Sequence, residues 1–406
     1  MIYQADIEAV ISDQLARFSG AEPSLTREIL PTLPDLQSHA LVISGIRRCG
    51  KSTLLRQLLA SRASDDSLFL NFDDPRLAAF ALPDFQSLDA IIAAKGARSL
   101  FLDELQLIEG WEMYVRQKLD AGFRVTVTGS NASLLSRELG TRLTGRHISK
   151  ELFPFSYREF LAFKTLPAGI ESLRACLSSG GFPEYLKTGN ADMLSELFTD
   201  ILTRDIAIRH GVRDLLSLKK LAVYLVSNAA SLVTASRLRQ VIGIGHTTTI
   251  LEYFSHLSDA YLIEFMPRFS YSPKVQNVNP RKLYVIDPGI IKVASLSSSS
   301  GNNTNGRLLE NLVYWELRRT GAELYYLNEN GSECDFVVLR NGKPAQVIQA
   351  CWELTPQNRD REQRGLIEAM DFFNITDALI LTANQRDTLN ENGRQIPILP
   401  AWEFFK

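Results

Sequence analysis

The stretch from residue 41 to residue 53 constrains the fold of this chain more than any other. It reads LVISGIRRCGKST, a short apolar run followed at once by the pattern G-x-x-x-x-G-K-[ST]. A leucine-rich helical run begins at Thr53, so the pattern lies between a predicted strand and a predicted helix. This context is typical of a phosphate-binding loop. The fixed positions of the pattern are occupied by Gly45, Gly50, Lys51 and Ser52.

The loop predicts a nucleotide site. Backbone N–H groups would close around the β-phosphate, and Lys51 would reach the β- and γ-phosphate oxygens. The Ser52 hydroxyl would ligate Mg²⁺, so ATP and Mg²⁺ are the expected cofactors. The thiol of Cys49, at a helix N-terminus beside two cations, suggests a lowered pKa, the alternative being a small residue tolerated in the loop. The residues expected to bind the nucleotide are Gly45, Arg48, Cys49, Gly50, Lys51, Ser52 and Thr53.

The composition is that of an ordinary globular protein. Its 406 residues suffice for two to four domains of roughly 100–200 residues each. A net charge of −2 gives no general reason to expect nucleic-acid binding, so any such prediction depends on local patches. The four cysteines lie far apart in the sequence, which favours a reducing, cytoplasmic location. We expect no signal peptide, because the N-terminal stretch MIYQADIEAV carries acids and lacks an apolar core. We expect no membrane span, because no apolar run approaches roughly 20 residues.

Four short apolar runs define the first part of the chain. They cover residues 40–44, 68–72, 99–102 and 125–128, and helix-length segments separate them. This alternation predicts an α/β fold with a parallel sheet that is buried on both faces.

Acidic residues follow the third run and complete the predicted nucleotide chemistry. An apolar strand that ends in Asp103-Glu104 has the form of a Walker B element. Asp103 would hold the Mg²⁺ shell, and Glu104 would act as general base toward the attacking water. A solvated acidic turn is the alternative, but the pair of acids indicates hydrolysis rather than binding alone.

Polar and basic residues after the fourth run complete the candidate catalytic set. Asn131 would lie beside the γ-phosphate and orient the water. Arg137, Arg142 and Arg146 follow in SRELGTRLTGR, and an arginine that reaches a neighbouring subunit's γ-phosphate would stabilise transition-state charge. For each arginine the alternative is a solvated helix face. A homo-oligomer, in which an arginine acts on the neighbouring subunit, therefore stays open.

The motifs taken in order resemble a known family. GIRRCGKSTLL, LFLDELQ, VTVTGSNASLLSRELGTRLTGR, ELFPFSYREFL and GGFPEYL resemble bacterial and archaeal AAA-type P-loop ATPases that carry an uncharacterised, nuclease-like C-terminal region. The resemblance implies an ATPase core, a winged-helix segment and a domain related to PD-(D/E)XK nucleases. It also implies that Asn131 is the sensor residue and that Arg142 and Arg146 form the arginine-finger region.

The ATPase core is expected to cover residues 1–150. Three further segments are predicted after it: residues 151–213, residues 214–292 and residues 307–406. Residues 151–213 are expected to form a helical lid, and residues 214–292 three helices and a two-stranded ribbon, which together make a winged helix. Between positions 204 and 292 there are 12 Lys or Arg against 6 Asp or Glu, a basic bias that suits DNA or RNA. The predicted recognition helix lacks Lys and Arg, so protein packing is an equal alternative. Residues 294–306, rich in Ser, Asn and Gly, predict a flexible loop.

The last segment, residues 307–406, has the order helix-β-β-β-helix-β and looks like a PD-(D/E)XK core. The resemblance assigns Glu310 to the helix acid, Asp335 to the first strand carboxylate, and Gln349 and Cys351 to the ends of the [E/Q]-x-K element. Cys351 replaces the lysine that would activate the water, so the domain is expected to be degenerate. Glu333 is a candidate second acid, or an exposed charge at the strand edge.

Three functions remain open from the sequence. The first is an Mg²⁺-dependent AAA-type ATPase whose turnover moves the winged-helix and nuclease-like domains. The second is an ATP-controlled DNA or RNA nuclease that uses Glu310 and Asp335. The third is a non-enzymatic nucleotide-dependent regulator, against which the Asp103-Glu104 pair argues.

Overall fold

The structure, a computed structural model, describes most of the chain. The described residues are 2–19, 24–62, 66–130, 145–272, 274, 276, 279–295, 302–329, 331–391 and 393–406. They divide into two compact units, Met1–Phe153 and Pro154–Lys406.

The first unit is a parallel five-stranded sheet with helices packed on it. Its strands are β1 (Ala40–Ser44), β2 (Ser67–Asn71), β3 (Ser99–Asp103), β4 (Arg124–Gly129) and β5 (His147–Glu151). Its helices are α1 (Gln4–Ser19), α2 (Lys51–Ser61), α3 (Phe85–Lys95) and α4 (Trp111–Asp120). The strand order is β2-β3-β4-β1-β5, and every neighbouring pair is parallel.

This sheet confirms the predicted parallel α/β fold and adds an unpredicted strand. The strands β1 and β3 are buried along their whole length, which explains why the sequence shows them as continuous apolar runs. The fifth strand is an edge strand with half-buried and exposed residues, so it carries no such run. In chain order β1 is followed by β2, yet in the sheet it lies between β4 and β5. The order reverses there, and ligands of open α/β sheets bind at such a switch point, outside the carboxyl ends of the strands.

The second unit begins with helices and a small sheet. The helices are α5 (Tyr157–Lys164), α6 (Ile170–Ser179), α7 (Pro183–Thr188), α8 (Asp192–Asp200), α9 (Leu215–Ser227), α10 (Ala235–Ile242), α11 (Thr247–Asp259) and α12 (Pro288–Ala294), and a π-helical segment spans Ile201–Ile208. An antiparallel sheet of order β6-β8-β7 is formed by β6 (Ser231–Val233), β7 (Ile263–Met266) and β8 (Arg281–Val285).

Within residues 214–292 the sheet has three strands where a two-stranded ribbon was predicted. The additional strand β6 pairs with β8 and precedes α10. The Thr234 hydroxyl caps α10 by accepting a hydrogen bond from Arg237 N–H, and Gly243 ends the helix in the left-handed conformation. The assignment of this segment as a winged helix, and the division of the unit into a lid, a winged helix and a nuclease-like part, stay predictions.

The chain ends in a mixed six-stranded sheet of order β13-β14-β12-β11-β10-β9. Its elements are α13 (Asn302–Arg319), β9 (Glu323–Glu329), β10 (Ser332–Arg340), β11 (Lys343–Ala350), α14 (Arg359–Phe373), β12 (Ala378–Thr382), β13 (Asp387–Glu391), β14 (Arg394–Pro400) and α15 (Ala401–Phe404). The predicted loop over residues 294–306 is wrong at its end, because α13 already begins at Asn302. Within the described residues, no helix is both long and apolar enough to cross a membrane.

Candidate nucleotide site

The phosphate-binding loop joins β1 to α2. Gly50 adopts a left-handed conformation immediately before Lys51, the first residue of the helix. Gly45 also has a positive φ, and a Cβ there would lie 2.1 Å from the carbonyl oxygen of Leu152. A side chain therefore fits at neither glycine, which is the steric reason for the pattern.

Lys51 is held inside the loop and is only 4% exposed. Its ammonium donates hydrogen bonds to the carbonyl oxygens of Gly45 at 3.0 Å and Ile46 at 3.1 Å. It also lies 3.9 Å from Oε1 of Glu104. The ammonium thus faces both the loop and the predicted general base.

Asp103, the last residue of β3, is fully buried. Its Oδ1 accepts a hydrogen bond from the Thr128 hydroxyl at 2.5 Å, while its Oδ2 is buried without a hydrogen-bond partner. Burial and the neighbouring Glu104 raise the pKa of Asp103, and hydrogen bonds from Thr128 and Ser52 counteract that rise. A buried carboxylate oxygen without a hydrogen-bond partner, on a residue that also interacts with the side chain of Ser52, fits the oxygen ligand set that Mg²⁺ prefers.

Glu104 occupies a strained turn at the end of β3, with φ 53 and ψ 35. Its N–H donates to the hydroxyl of Thr128 at 2.9 Å. Its Oε2 accepts a hydrogen bond from the Gln106 side chain, which leaves Oε1 on the side of Lys51. Thr128 and Gln106 were missed by the sequence analysis, because the motif itself ends at Glu104.

A further unpredicted residue, Arg27, holds the backbone of the loop through hydrogen bonds. Its buried guanidinium donates hydrogen bonds to the carbonyl oxygens of Cys49 at 2.8 Å and Phe153 at 2.7 Å. The residue lies upstream of the first strand, in a segment without any motif, so only the fold reveals its role.

The hypothesis of a lowered pKa at Cys49 is wrong. The thiol is fully buried, and burial raises its pKa in spite of the nearby Lys51 and Arg27. Its Sγ donates to the carbonyl oxygen of Leu152 at 3.3 Å, so the side chain turns inward from the loop. Arg48 is exposed and has a positive φ, and the Thr53 hydroxyl accepts a hydrogen bond from Arg56.

The predicted sensor and arginine-finger region is described only at its end. Asn131, Arg137 and Arg142 lie outside the described residues. The guanidinium of Arg146 donates hydrogen bonds to the Asp120 carboxylate and to the carbonyl oxygen of Ser38, and it forms no described contact with Lys51, Asp103 or Glu104.

The second candidate cluster lies in the C-terminal unit and contains an unpredicted lysine. Lys282 on β8 is 2% exposed. Its ammonium lies 2.8 Å from Oε1 of Glu310, 2.7 Å from Oε1 of Glu333 and 2.7 Å from Oδ1 of Asp335. The fold therefore brings together the three acids that the sequence singled out and adds a cation from a distant segment.

Polar contacts hold the rest of this cluster in place. Asp335 Oδ2 accepts from Ala350 N–H at 2.9 Å, and its own N–H donates to Oε1 of Gln349 at 3.2 Å. Burial and the nearby Asp335 raise the pKa of Glu310 above its usual range, and the ammonium of Lys282 and the hydroxyl of Tyr284 counteract that rise. Cys351 lines the same pocket of about 550 Å³ but is not part of the ion cluster, and burial raises its pKa.

Comparisons with known proteins agree with the geometry of the loop. Residues 37–161 match the family model described as an AAA domain, and residues 170–300 match a domain of unknown function (DUF8612). An uncharacterised protein of Methanocaldococcus jannaschii is 32% identical over 393 residues, which covers 89% of this chain and 87% of the relative. This chain belongs to the same family as that archaeal protein.

Other members and neighbours are more distant. An uncharacterised protein of Haemophilus influenzae is 28% identical over 383 residues, covering 89% of this chain and 93% of the relative. Among solved structures, AMPPCP-bound DnaA from Aquifex aeolicus is 15% identical with a TM-score of 0.28, covering 57% of this chain and 85% of that one. The first unit is thus an AAA-type P-loop domain on the evidence of its family match, strand order and loop.

Proposed function

We propose that this chain is an Mg²⁺-dependent ATPase whose catalytic site lies at the carboxyl ends of β1 and β3. The observation that carries the proposal is the convergence of Lys51 with two carboxylates: Glu104 lies 3.9 Å from its ammonium, and Asp103 keeps one buried oxygen without a partner. A site for binding alone needs no second acid at this place. The pair supports hydrolysis.

Each residue has a defined role in this proposal. Lys51 exchanges the carbonyl oxygens of Gly45 and Ile46 for the β- and γ-phosphate oxygens of ATP. Ser52 and Asp103 would hold Mg²⁺, which when bound neutralises charge on the phosphates. Glu104 accepts the proton of the attacking water through the oxygen that Gln106 leaves free. Asn131, Arg142 and Arg146 remain proposed contributors to the γ-phosphate environment.

Steady-state ATP hydrolysis by the full chain and three variants tests the proposal. Glu104→Gln is expected to lower kcat by about 100-fold or more while ATP binding persists, because only the base is lost. Lys51→Ala is expected to lose both binding and turnover. Glu109→Gln, a change at an exposed acid five residues further on, serves as the matched control. Turnover by Lys51→Ala at the parent rate would refute the proposal, and tight ATP binding without turnover would favour a regulator.

The same assay addresses partners. The basic bias of residues 204–292 motivates the proposal that DNA or RNA contacts the predicted winged helix. Rates measured with and without nucleic acid, and across protein concentrations, separate the alternatives. Stimulation by nucleic acid supports this contact, and a rate per subunit that rises with concentration supports an arginine supplied by a neighbouring copy.

A second candidate function is metal-assisted phosphodiester hydrolysis in the C-terminal pocket. The observation that favours it is Lys282, which supplies a lysine beside Glu310 and Asp335 where Cys351 cannot. Among the described residues, however, no group of three or more His, Cys, Asp or Glu is arranged to hold a metal ion. A metal ion would therefore have to displace the ammonium of Lys282 from at least one carboxylate.

Incubation of the chain with Mg²⁺ or Mn²⁺, ATP, and DNA or RNA tests the second candidate. Cleavage that is lost in Asp335→Asn and in Lys282→Met assigns the activity to this pocket. Cleavage measured without ATP should persist in Lys51→Ala, because that variant changes only the nucleotide site. Absence of cleavage under all these conditions leaves the cluster as an internal ion network, in line with the expected degenerate domain.

A further inference from the structure

We infer that Thr128 is a positioning residue that fixes the metal-binding carboxylate and the general base relative to each other, an inference that rests on the proposed ATPase function. Thr128 lies on β4, outside the Walker motifs, and is 3% exposed. Its single hydroxyl contacts both Asp103 and Glu104.

The direction of the two hydrogen bonds follows from simple counting. The hydroxyl oxygen accepts the N–H of Glu104 at 2.9 Å, and a backbone amide can only donate. The one hydroxyl proton is therefore free for Oδ1 of Asp103, 2.5 Å away. This bond occupies Oδ1, whereas Oδ2 is buried without a hydrogen-bond partner, and we infer that Oδ2 is the oxygen left for Mg²⁺. Thr128 thus selects which carboxylate oxygen is available.

The second contact secures a strained backbone. Glu104 adopts a left-handed conformation, which a residue with a Cβ holds only when its surroundings require it. Its N–H is anchored by Thr128 at the residue where β3 leaves the sheet. Thr128 thereby holds both the side chain of Asp103 and the backbone N–H of Glu104, so the direction of the Glu104 side chain depends on that hydroxyl.

The place of Thr128 in the sheet links these contacts to the phosphate-binding loop. Its backbone pairs with Ile43 of β1, two residues before Gly45. Its side chain reaches across to the end of β3, beyond the last paired residues Leu102 and Val127. One residue of the central strand therefore connects the strand that leads into the loop with the strand that carries both acids.

Four variants of the full chain test the inference by ATP hydrolysis. Thr128→Val keeps the shape of the side chain but removes the hydroxyl, and we expect kcat to fall about 10- to 100-fold, as is typical when a residue that orients a catalytic group is lost. The KM for ATP should change less than about twofold, since Lys51 and the loop remain. Half-saturation should require more Mg²⁺, because Asp103 is no longer oriented. Thr128→Ser should retain most of kcat, and Thr126→Val, at a buried threonine on the same strand, is the matched control.

Thermal unfolding of each variant separates misfolding from mispositioning. If Thr128→Val does not fold, Thr128→Ser and Thr128→Cys, which differ by one atom, take its place, and the serine variant should be the more active by about tenfold or more. The inference is overturned if folded Thr128→Val is as active as wild type, or if Thr128→Ser loses as much activity as Thr128→Val. Wild type without turnover would refute the ATPase proposal itself, whereas an active wild type that Lys51→Ala silences leaves only Thr128 in question.

Discussion

At the scale of single residues, Gln106 offers a direct test of how Glu104 is oriented. Its amide donates to Oε2 of Glu104, two residues away. In Gln106→Leu the carboxylate loses this partner and becomes free to rotate, so we expect kcat for ATP to fall about tenfold with binding preserved. Single-turnover hydrolysis measures this, and Gln117→Leu, at an exposed glutamine, is the control. An unchanged single-turnover rate would show that Thr128 and the backbone alone set the orientation.

Residues within a motif were predictable, and residues that act across strands were not. Gly45, Lys51, Ser52, Asp103 and Glu104 were found because a phosphate-binding loop and an acidic strand end have fixed local spacings. Three residues with unpredicted contacts lie far from these motifs in the sequence: Arg27, Thr128 and Lys282. Their contacts become visible only in the folded chain.

At the scale of elements, the contact between α14 and β10 gives a prediction with an internal control. A Cβ on Gly365 would lie 2.0 Å from the carbonyl oxygen of Glu333, so Gly365→Ala must push the helix away from the strand. We expect a loss of about 1–3 kcal/mol in the free energy of unfolding. A Cβ on Gly306 in α13 would come no nearer than 4.0 Å to its nearest neighbour, the backbone N of Trp352, so Gly306→Ala should instead stabilise by about 0.5–1 kcal/mol. Chemical denaturation measures both, and equal effects would contradict the packing argument.

The elements that the sequence predicted are those with a strong local pattern. The helix predicted after the phosphate-binding loop corresponds to α2, and all four predicted strands of the first sheet are present. The fifth strand, HISKE, was missed because an exposed edge strand does not alternate in hydrophobicity. The pair β13 and β14 was missed for a related reason, since β13 is mostly exposed and β14 contains two prolines.

At the scale of the whole molecule, a histidine pair predicts acid sensitivity. His210 stacks on His256 with ring centroids 3.9 Å apart, and burial together with His256 lowers the pKa of His210 to about 4. In the unfolded chain this pKa is about 6.5, so the unfolded state binds more protons between these values and stability falls as pH drops through that window. His210→Gln should reduce the loss of Tm between pH 7 and pH 5, and His246→Gln, at an exposed histidine, should not. Equal losses in wild type and His210→Gln would contradict the assignment.

The ion cluster at Lys282 determines how firmly two sheets of the second unit are joined. Lys282 comes from β8 of the three-stranded sheet, whereas Glu333 and Asp335 belong to β10 of the six-stranded sheet. Lys282→Met would leave buried carboxylates without a counter-ion, a change that typically costs about 3–5 kcal/mol of unfolding free energy. The exposed Lys220→Met should cost no more than about 0.5 kcal/mol. Because the penalty comes from unpaired charge, adding Asp335→Asn to Lys282→Met should restore part of the stability. Equal denaturation midpoints for Lys282→Met and Lys220→Met would show that the ion cluster does not stabilise the unit.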